Sequence, residues 1–192
     1  KVVATTTSIM ILVEEGRIRL TDRVASYIPS FARSGKAEIT VRHLLTHTSG
    51  LRPDLDLADS WTGYDPAIVS ATEEVPTAAP GERVVYSDIN FFLLGDIVSR
   101  VSGVTLDRFA QSRIFEPLGM HDTYFYLPEP KANRLAALYT PNRSGGLDQV
   151  PGTAGGEHLV YSSTYSTGKS RSYFAGGAGL SSTAFDYARF LQ

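Results

Sequence analysis

The strongest constraint on the fold is a segment near the start of the chain that is apolar on almost every side. Residues 2–15 read VVATTTSIMILVEE, and the apolar side chains leave little polar face on a helix. Gly16 follows directly and suits the left-handed residue that ends many helices. The segment therefore predicts a helix that neighbouring elements bury nearly all round, so the fold should have a helical core.

Further helices are predicted where a capping residue precedes an apolar repeat and a glycine or proline follows it. The predicted ranges, each with the residues that precede it, are 41–47 after Thr40, 67–74 after Asp65-Pro66, 89–101 after Asp88, 106–115 after Thr105, and 183–192 after Ser182. Gly103 is the predicted stop of the helix over 89–101. Residues 83–86 favour a short strand instead.

The segment 124–180 differs in character from the rest of the chain. It is rich in Gly, Ser and Tyr residues and predicts short strands between loops. Helices combined with such an insertion indicate an α+β fold. Both ends of the chain fall within predicted helices, whereas a natural domain normally ends in an exposed linker. We therefore expect residues 1–192 to be part of a larger domain.

Composition excludes several classes of protein. With 18 Lys and Arg against 20 Asp and Glu, the net charge is -2, which argues against a nucleic-acid partner. The absence of cysteine excludes disulfides, thiolate catalysis and cysteine-based zinc sites. No apolar run approaches the ~20 residues of a membrane helix, so no membrane span is expected in this chain. Composition fits an exported and a cytosolic protein equally well and leaves the oligomeric state open.

Several motifs have a structural alternative that the residues favour. His43 and His47 have the i, i+4 spacing of a metal-binding pair, but no third ligand is obvious. Hydrogen bonding inside a packed turn is the favoured interpretation. Ser166 and Lys169 form an S-x-x-K sequence, yet they lie in a Gly/Ser/Tyr-rich turn region rather than at the start of a helix. Without a helix, the Lys169 amine is not held on the same face as the Ser166 hydroxyl.

Two further clusters are weaker still. Three loop acids lack the glycine and the distal glutamate of a calcium loop: Asp54, Asp56 and Asp59. Five aromatic residues either line an acyl pocket or pack in the core: Trp61, Tyr64, Tyr161, Tyr165 and Tyr173. No metal site and no organic cofactor is indicated.

Five segments, in order along the whole chain, carry a resemblance to a known family. They are VVATTTSIMILVEEGRIRLTDRVASYIP after Lys1, HLLTHTSGL at 43–51, YSDINFFLLGDIVSRVSG at 86–103, IFEPLGMHDT at 114–123 and GGAGLSSTAFDYARFLQ at 176–192. The series resembles the serine hydrolases that comprise class C β-lactamases, penicillin-binding proteins and family VIII esterases. The resemblance implies a β-lactamase/transpeptidase-like α+β fold. This chain would hold mainly its helical subdomain, with flanking sheet strands missing at both ends.

The resemblance implies roles for three residues. Lys1 matches the lysine of S-x-x-K, whose serine nucleophile would stand three residues upstream. Tyr86 matches the tyrosine that acts as general base. Asp88 matches the third position of the tyrosine motif, a substrate-binding position where β-lactamases usually have Asn. A negative charge there disfavours anionic β-lactams and stabilises the lysine ammonium.

The structural alternatives are a solvated Lys1, a core Tyr86 with a bonded hydroxyl, and an Asp88 that only caps a helix.

The implied activity is hydrolysis of a small-molecule ester, amide or β-lactam through an acyl-serine intermediate. A carboxylesterase or peptidase is favoured over a β-lactamase because of Asp88. The family's third motif, Lys or His followed by x-Gly, would come after Gln192. The alternative is a non-catalytic binding or scaffold protein that keeps the fold. The resemblance also makes a positional prediction, namely that the ε-amine of Lys1 lies within a few ångströms of the Tyr86 hydroxyl.

Overall fold

The computed structural model describes residues 1–55, 64–137, 139–149 and 174–192. The first predicted helix is present in two parts, a wide π-type turn over Val2–Thr6 and the helix α1 over Thr7–Glu14. Ile9 and Leu12 are fully buried, whereas Met10 is exposed. The prediction of burial nearly all round is therefore wrong for one side, because the helix lies at the edge of the core with that side toward the surface.

Five further helices follow along the described part of the chain. The five elements are α2 over Val41–Leu45, α3 over Tyr64–Glu73, α4 over Asp88–Ser102, α5 over Leu106–Ala110 and α6 over Ala184–Leu191. A second wide turn, Gln111–Phe115, extends α5, and short 3-10 turns occupy Val24–Ser26, Pro29–Ala32 and Glu129–Arg134.

Helix α4 is the centre of the core. It packs against α1, α2, α3 and α5, and its buried side chains include Leu93, Leu94 and Ile97. Gly103 ends it in the left-handed conformation at φ 81°, as predicted. Its capping residue is Ser87 rather than Asp88, and no side chain caps it. Asp88 is instead the first residue of the helix, which leaves its carboxylate available for another partner.

The capping residue is predicted correctly at α2, whereas at α6 it lies one residue after the predicted one. Thr40 and His43 form a capping box in which each side chain binds the other's backbone N–H. At α6 the Thr183 hydroxyl accepts from the backbone N–H of Asp186 at 3.1 Å, so Thr183 replaces the predicted Ser182. Both residue types cap helices, and only the backbone path decides between neighbours.

Strand structure within the described residues is small. β1 over Tyr139–Pro141 pairs antiparallel with β2 over Leu147–Gln149, with Thr140 opposite Asp148, and this hairpin lies in the segment predicted to hold short strands. The strand predicted at 83–86 does not form. That segment makes one ladder-like bond, from the Val85 N–H to the His47 carbonyl at 2.8 Å.

No single helix within the described residues combines the length and the hydropathy needed to cross a bilayer. Helix α4 and the segment Leu106–Phe115 reach these values only when taken together, and they are bent by 74° relative to each other.

Candidate active site

The three predicted site residues meet at one cavity of about 970 Å³. Lys1 lines it just before the first turn, Asp88 lines it at the start of α4, and Tyr86 lines it two residues before that helix. His47, Phe91 and the Gly176–Gly177 pair complete the inner wall. Elements that are far apart in sequence therefore converge on one opening in the helical core.

Lys1 is held by two acceptors. Its ammonium donates hydrogen bonds to Oδ1 of Asp88 and, at 2.7 Å, to the carbonyl oxygen of Gly177. The amine also lies over the ring of Tyr86, 4.6 Å from the ring centroid. With 17% of its side chain exposed, Lys1 is not the solvated charge of the structural alternative.

The surroundings of Lys1 favour its charged form. Burial by itself would lower the pKa of the Lys1 amine, but the hydrogen bond to Asp88 and the electrostatic interactions with Asp88 and Tyr86 together raise this pKa above its ordinary value. Lys1 is therefore an ammonium at neutral pH. In that form it can stabilise negative charge on a neighbouring oxygen and can return a proton.

Tyr86 is presented to the cavity rather than buried in the core. Its relative exposure is 60%, which contradicts the alternative of a core tyrosine. One face of the ring stacks on His47, with centroids 4.5 Å apart and planes inclined by 29°. The hydroxyl-bearing ring is thus supported from one side and open to the cavity.

The segment 47–53 holds the tyrosine motif in place. The N–H of Ser87 donates to Nδ1 of His47 at 3.0 Å. The hydroxyl of Ser87 donates to the Arg52 carbonyl at 2.6 Å, and the N–H of Asp88 donates to the Pro53 carbonyl at 2.7 Å. The start of α4 is therefore attached, residue after residue, to a second piece of chain.

The conformation of that segment depends on residues of its own sequence. Gly50 has φ 82°, and a Cβ there would lie 2.1 Å from the Ala78 carbonyl oxygen, so only glycine fits. The buried Ser49 hydroxyl donates to Oδ1 of Asn90 at 2.6 Å. The HTSG sequence is accordingly a structural connection between α2 and α4.

The two histidines of the predicted metal pair have separate structural partners. Nδ1 of His43 accepts from the Thr40 N–H at 3.2 Å, whereas Nδ1 of His47 accepts from Ser87. Both are hydrogen-bonded inside packed turns, which is the interpretation that the residues favoured. Across the described residues, no group of three or more His, Cys, Asp or Glu side chains has the arrangement of a metal site.

Two glycines form the back of the cavity, and sequence reasoning did not assign them to the site. The buried Thr5 hydroxyl donates to the Gly176 carbonyl at 2.8 Å. A Cβ at Gly176 would lie 2.0 Å from the Phe91 carbonyl oxygen, so the chain crosses α4 at a distance that only glycine allows. This crossing brings the Gly177 carbonyl to Lys1. The available signal was the glycine pair itself.

Other sequence candidates lie elsewhere. Tyr64 does not line the cavity, because its hydroxyl donates to the Asp96 carboxylate on α4. Asp54 accepts from the N–H of Leu55 in its own turn at 2.8 Å. The remaining candidates lie outside the described residues: Asp56, Asp59, Trp61, Tyr161, Tyr165, Ser166, Lys169 and Tyr173.

Comparison with known proteins gives matches along the whole chain. A family model described as Beta-lactamase matches residues 1–192. A relative from Escherichia coli (strain K12), named "Putative D-alanyl-D-alanine carboxypeptidase", is 31% identical over 212 residues, covering 100% of this chain and 48% of the relative. Penicillin-binding protein 4 of Amycolatopsis lactamdurans is 32% identical over 165 residues, covering 80% of this chain and 43% of that protein.

A solved structure supports the same fold. The octameric penicillin-binding protein homologue from Pyrococcus abyssi superposes with a TM-score of 0.74 at 32% identity, covering 97% of this chain and 41% of that one. This match confirms the predicted β-lactamase/transpeptidase-like fold. The chain spans about half the length of the curated relatives it matches.

Proposed function

Because the chain belongs to the beta-lactamase family, we propose that it is the lysine- and tyrosine-bearing part of a serine hydrolase that forms an acyl-serine intermediate. The observation that carries this proposal is the convergence of Lys1, Tyr86 and Asp88 on one cavity. Residues 1–192 would be a partial domain, and the serine would stand three residues before Lys1, one helical turn away on the same face.

The proposed reaction uses Lys1 and Tyr86 as one proton-transfer unit. The serine oxygen attacks the substrate carbonyl while its proton passes to the Tyr86 oxygen, and the adjacent Lys1 ammonium stabilises negative charge on that oxygen. The proton then passes to the leaving alkoxide or amine as the ester or amide bond breaks. Water attacks the acyl-serine by the same route and regenerates the serine. Backbone N–H groups would hold the oxyanion.

Substrate preference is proposed from Asp88. Its carboxylate faces the cavity and disfavours an anionic β-lactam, although the Lys1 ammonium bonded to it offsets part of the negative charge. We therefore favour an ester or a peptide-like amide over a β-lactam. The carboxypeptidase and penicillin-binding names of the bacterial relatives support a peptidase-like activity. Lys1, Tyr86 and Asp88 require no metal ion or organic cofactor for this chemistry.

Covalent labelling tests the proposal. The full-length protein is treated with a fluorophosphonate probe and with a fluorescent penicillin, and labelled protein is resolved by gel and by mass spectrometry. We expect labelling that disappears when the serine three residues before Lys1 is replaced by alanine. Ser166→Ala is the matched control, because Ser166 begins the other S-x-x-K sequence, and it should still label. Folded protein that takes neither probe would instead identify a non-catalytic member of the family.

A further inference from the structure

His47 lines the cavity, and the proposed reaction gives it no role. It is one of two non-glycine residues in the described part of the chain with a positive φ, at 57°. Positive φ is uncommon for residues other than glycine, although histidine, like asparagine, adopts it more often than most. A strained backbone that directly adjoins a proposed reactive group indicates that the side chain must be delivered to a particular place.

The contacts of His47 enclose Tyr86 from both sides along the chain. Its carbonyl accepts from the N–H of Val85 at 2.8 Å, and its Nδ1 accepts from the N–H of Ser87 at 3.0 Å. These are the residues directly before and after Tyr86. The imidazole also stacks on the Tyr86 ring at 4.5 Å. One residue thus fixes both the backbone and the ring of the tyrosine.

The protonation state of His47 follows from the same contacts. An Nδ1 that accepts a hydrogen bond carries no proton, so in the neutral ring Nε2 carries it. Burial and then the nearby Lys1 ammonium lower the pKa of His47, and the Asp88 carboxylate opposes them without reversing the shift. Protonation of Nδ1 would turn it into a donor directed at the donor N–H of Ser87.

We propose that His47 is a positioning residue for the hydrolase reaction, holding the Tyr86 ring and the Tyr86–Ser87 backbone in the orientation that brings the phenol to the Lys1 ammonium. This inference rests on the proposed function. His47 acts through Tyr86 and does not contact the reacting atoms.

A set of variants separates the two contributions of His47. His47→Asn keeps an acceptor and a residue type that tolerates positive φ, but it removes the ring. His47→Phe keeps a ring and removes the acceptor, and His47→Ala removes both. His43→Ala is the matched control, because His43 lies four residues earlier, also accepts a backbone N–H through Nδ1, and contacts Thr40 rather than Tyr86.

Kinetics of the full-length protein on a p-nitrophenyl ester provide the test. We expect His47→Ala to lower kcat by up to about a hundredfold, the loss typical of a small displacement of a catalytic group, while KM changes little. His47→Asn and His47→Phe should fall between it and wild type. In the His47 variants, the pH profile of kcat should lack the decrease at acid pH that protonation of His47 causes in wild type. His43→Ala should keep wild-type kcat.

The possible outcomes are distinct. Active wild-type protein together with an unchanged kcat in His47→Ala would overturn the role of His47 and leave the proposed function standing. An equal loss of kcat in His43→Ala would show that His47 only stabilises the fold. If His47→Ala does not fold, His47→Asn is the deciding variant, and wild-type kcat with an unchanged pH profile would contradict the inference. Wild-type protein without turnover would overturn the proposed function and this role with it.

Discussion

The ammonium of Lys1 and the carboxylate of Asp88 form an ion pair across 87 positions of sequence, with side chains 17% and 24% exposed. Asp88 is the first residue of α4, where the helix dipole also favours a negative charge. Each group of the pair therefore stabilises the charge of the other. Any change at Asp88 should be detectable first in the titration of Lys1.

Asp88→Asn should shift the pH dependence of activity toward acid. Without the carboxylate, burial is opposed less, so the pKa of Lys1 falls and the ammonium is lost at a lower pH. The decrease of kcat/KM on the alkaline side should then begin at a lower pH than in wild type. Asp107→Asn is the control, since Asp107 also lies in the first turn of a helix but does not line this cavity.

The same variant should change substrate preference. Removing a negative charge from the cavity should increase the acylation rate with a fluorescent penicillin relative to hydrolysis of a neutral ester. The ratio of the two rates, measured on the same preparation, reports the change independently of the fraction of active protein. A ratio equal to that of wild type would contradict the role proposed for Asp88.

Tyr86→Phe should reduce kcat by about 10²–10⁴-fold, the usual contribution of a positioned acid or base. The melting temperature should change little, because the ring and its stacking on His47 remain. Tyr27→Phe provides the control. Its hydroxyl donates to Asp22 at 2.6 Å away from the cavity, so its loss should affect stability and leave kcat unchanged. Near-normal turnover by Tyr86→Phe would exclude the hydroxyl from proton transfer.

Gly176→Ala should destabilise the protein by about 1–3 kcal/mol or more, since the added methyl overlaps a backbone carbonyl that belongs to α4 and cannot move aside. Urea unfolding of the full-length variant measures this loss. Gly146→Ala is the matched control, because its Cβ would meet only the flexible side chain of Asn142. Equal stabilities of the two variants would show that the chain at Gly176 can move away from α4 to accommodate the methyl group.

Asp122 should make a contribution to stability that disappears in acid. Arg134 donates to both of its oxygens at 2.9 Å and Lys131 donates at 2.6 Å, and these bonds hold the pKa of Asp122 well below its ordinary value. A carboxyl with a lowered folded-state pKa stabilises the fold above its unfolded pKa of about 4, and this stability is lost as the pH falls toward the folded value.

Thermal melts of wild type and Asp122→Asn at a series of pH values test this expectation. The difference in Tm between them should be constant above about pH 5 and shrink steadily below pH 4. Glu38→Gln serves as the control, since its pair with Arg23 is exposed at both ends and contributes little. A difference that does not depend on pH would attribute the effect of Asp122 to packing instead of charge.

Features that depend on a few consecutive residues could be predicted from the sequence. The Thr40 cap and the Gly103 stop are fixed by backbone groups within one helical turn, so local chemistry is sufficient. At α4 and α6 the capping residue lies one position away from the predicted one, since adjacent Ser, Thr and Asp residues have similar capping preferences. Burial of the first helix was overestimated, because an apolar residue such as Met10 can remain at the surface.

Features that depend on the path of distant segments could not be predicted from local patterns. The proximity of Lys1, Tyr86 and Asp88 was expected only through the resemblance to known hydrolases. The Gly177 carbonyl that binds Lys1 and the His47 ring that supports Tyr86 arise from tertiary crossings, which no periodicity encodes. The i, i+4 spacing of His43 and His47 gives no indication that His47 contacts a residue about 40 positions away.

The attachment of the tyrosine motif to segment 47–53 limits how the site can be transplanted. A designer who moved only residues 85–88 onto another scaffold would carry over the phenol but none of the acceptors that orient it. The portable unit is the motif together with segment 47–53 and the Ala78 loop that requires glycine at position 50. For the same reason, substitutions near Ala78 should alter the position of Tyr86, although Ala78 does not line the cavity.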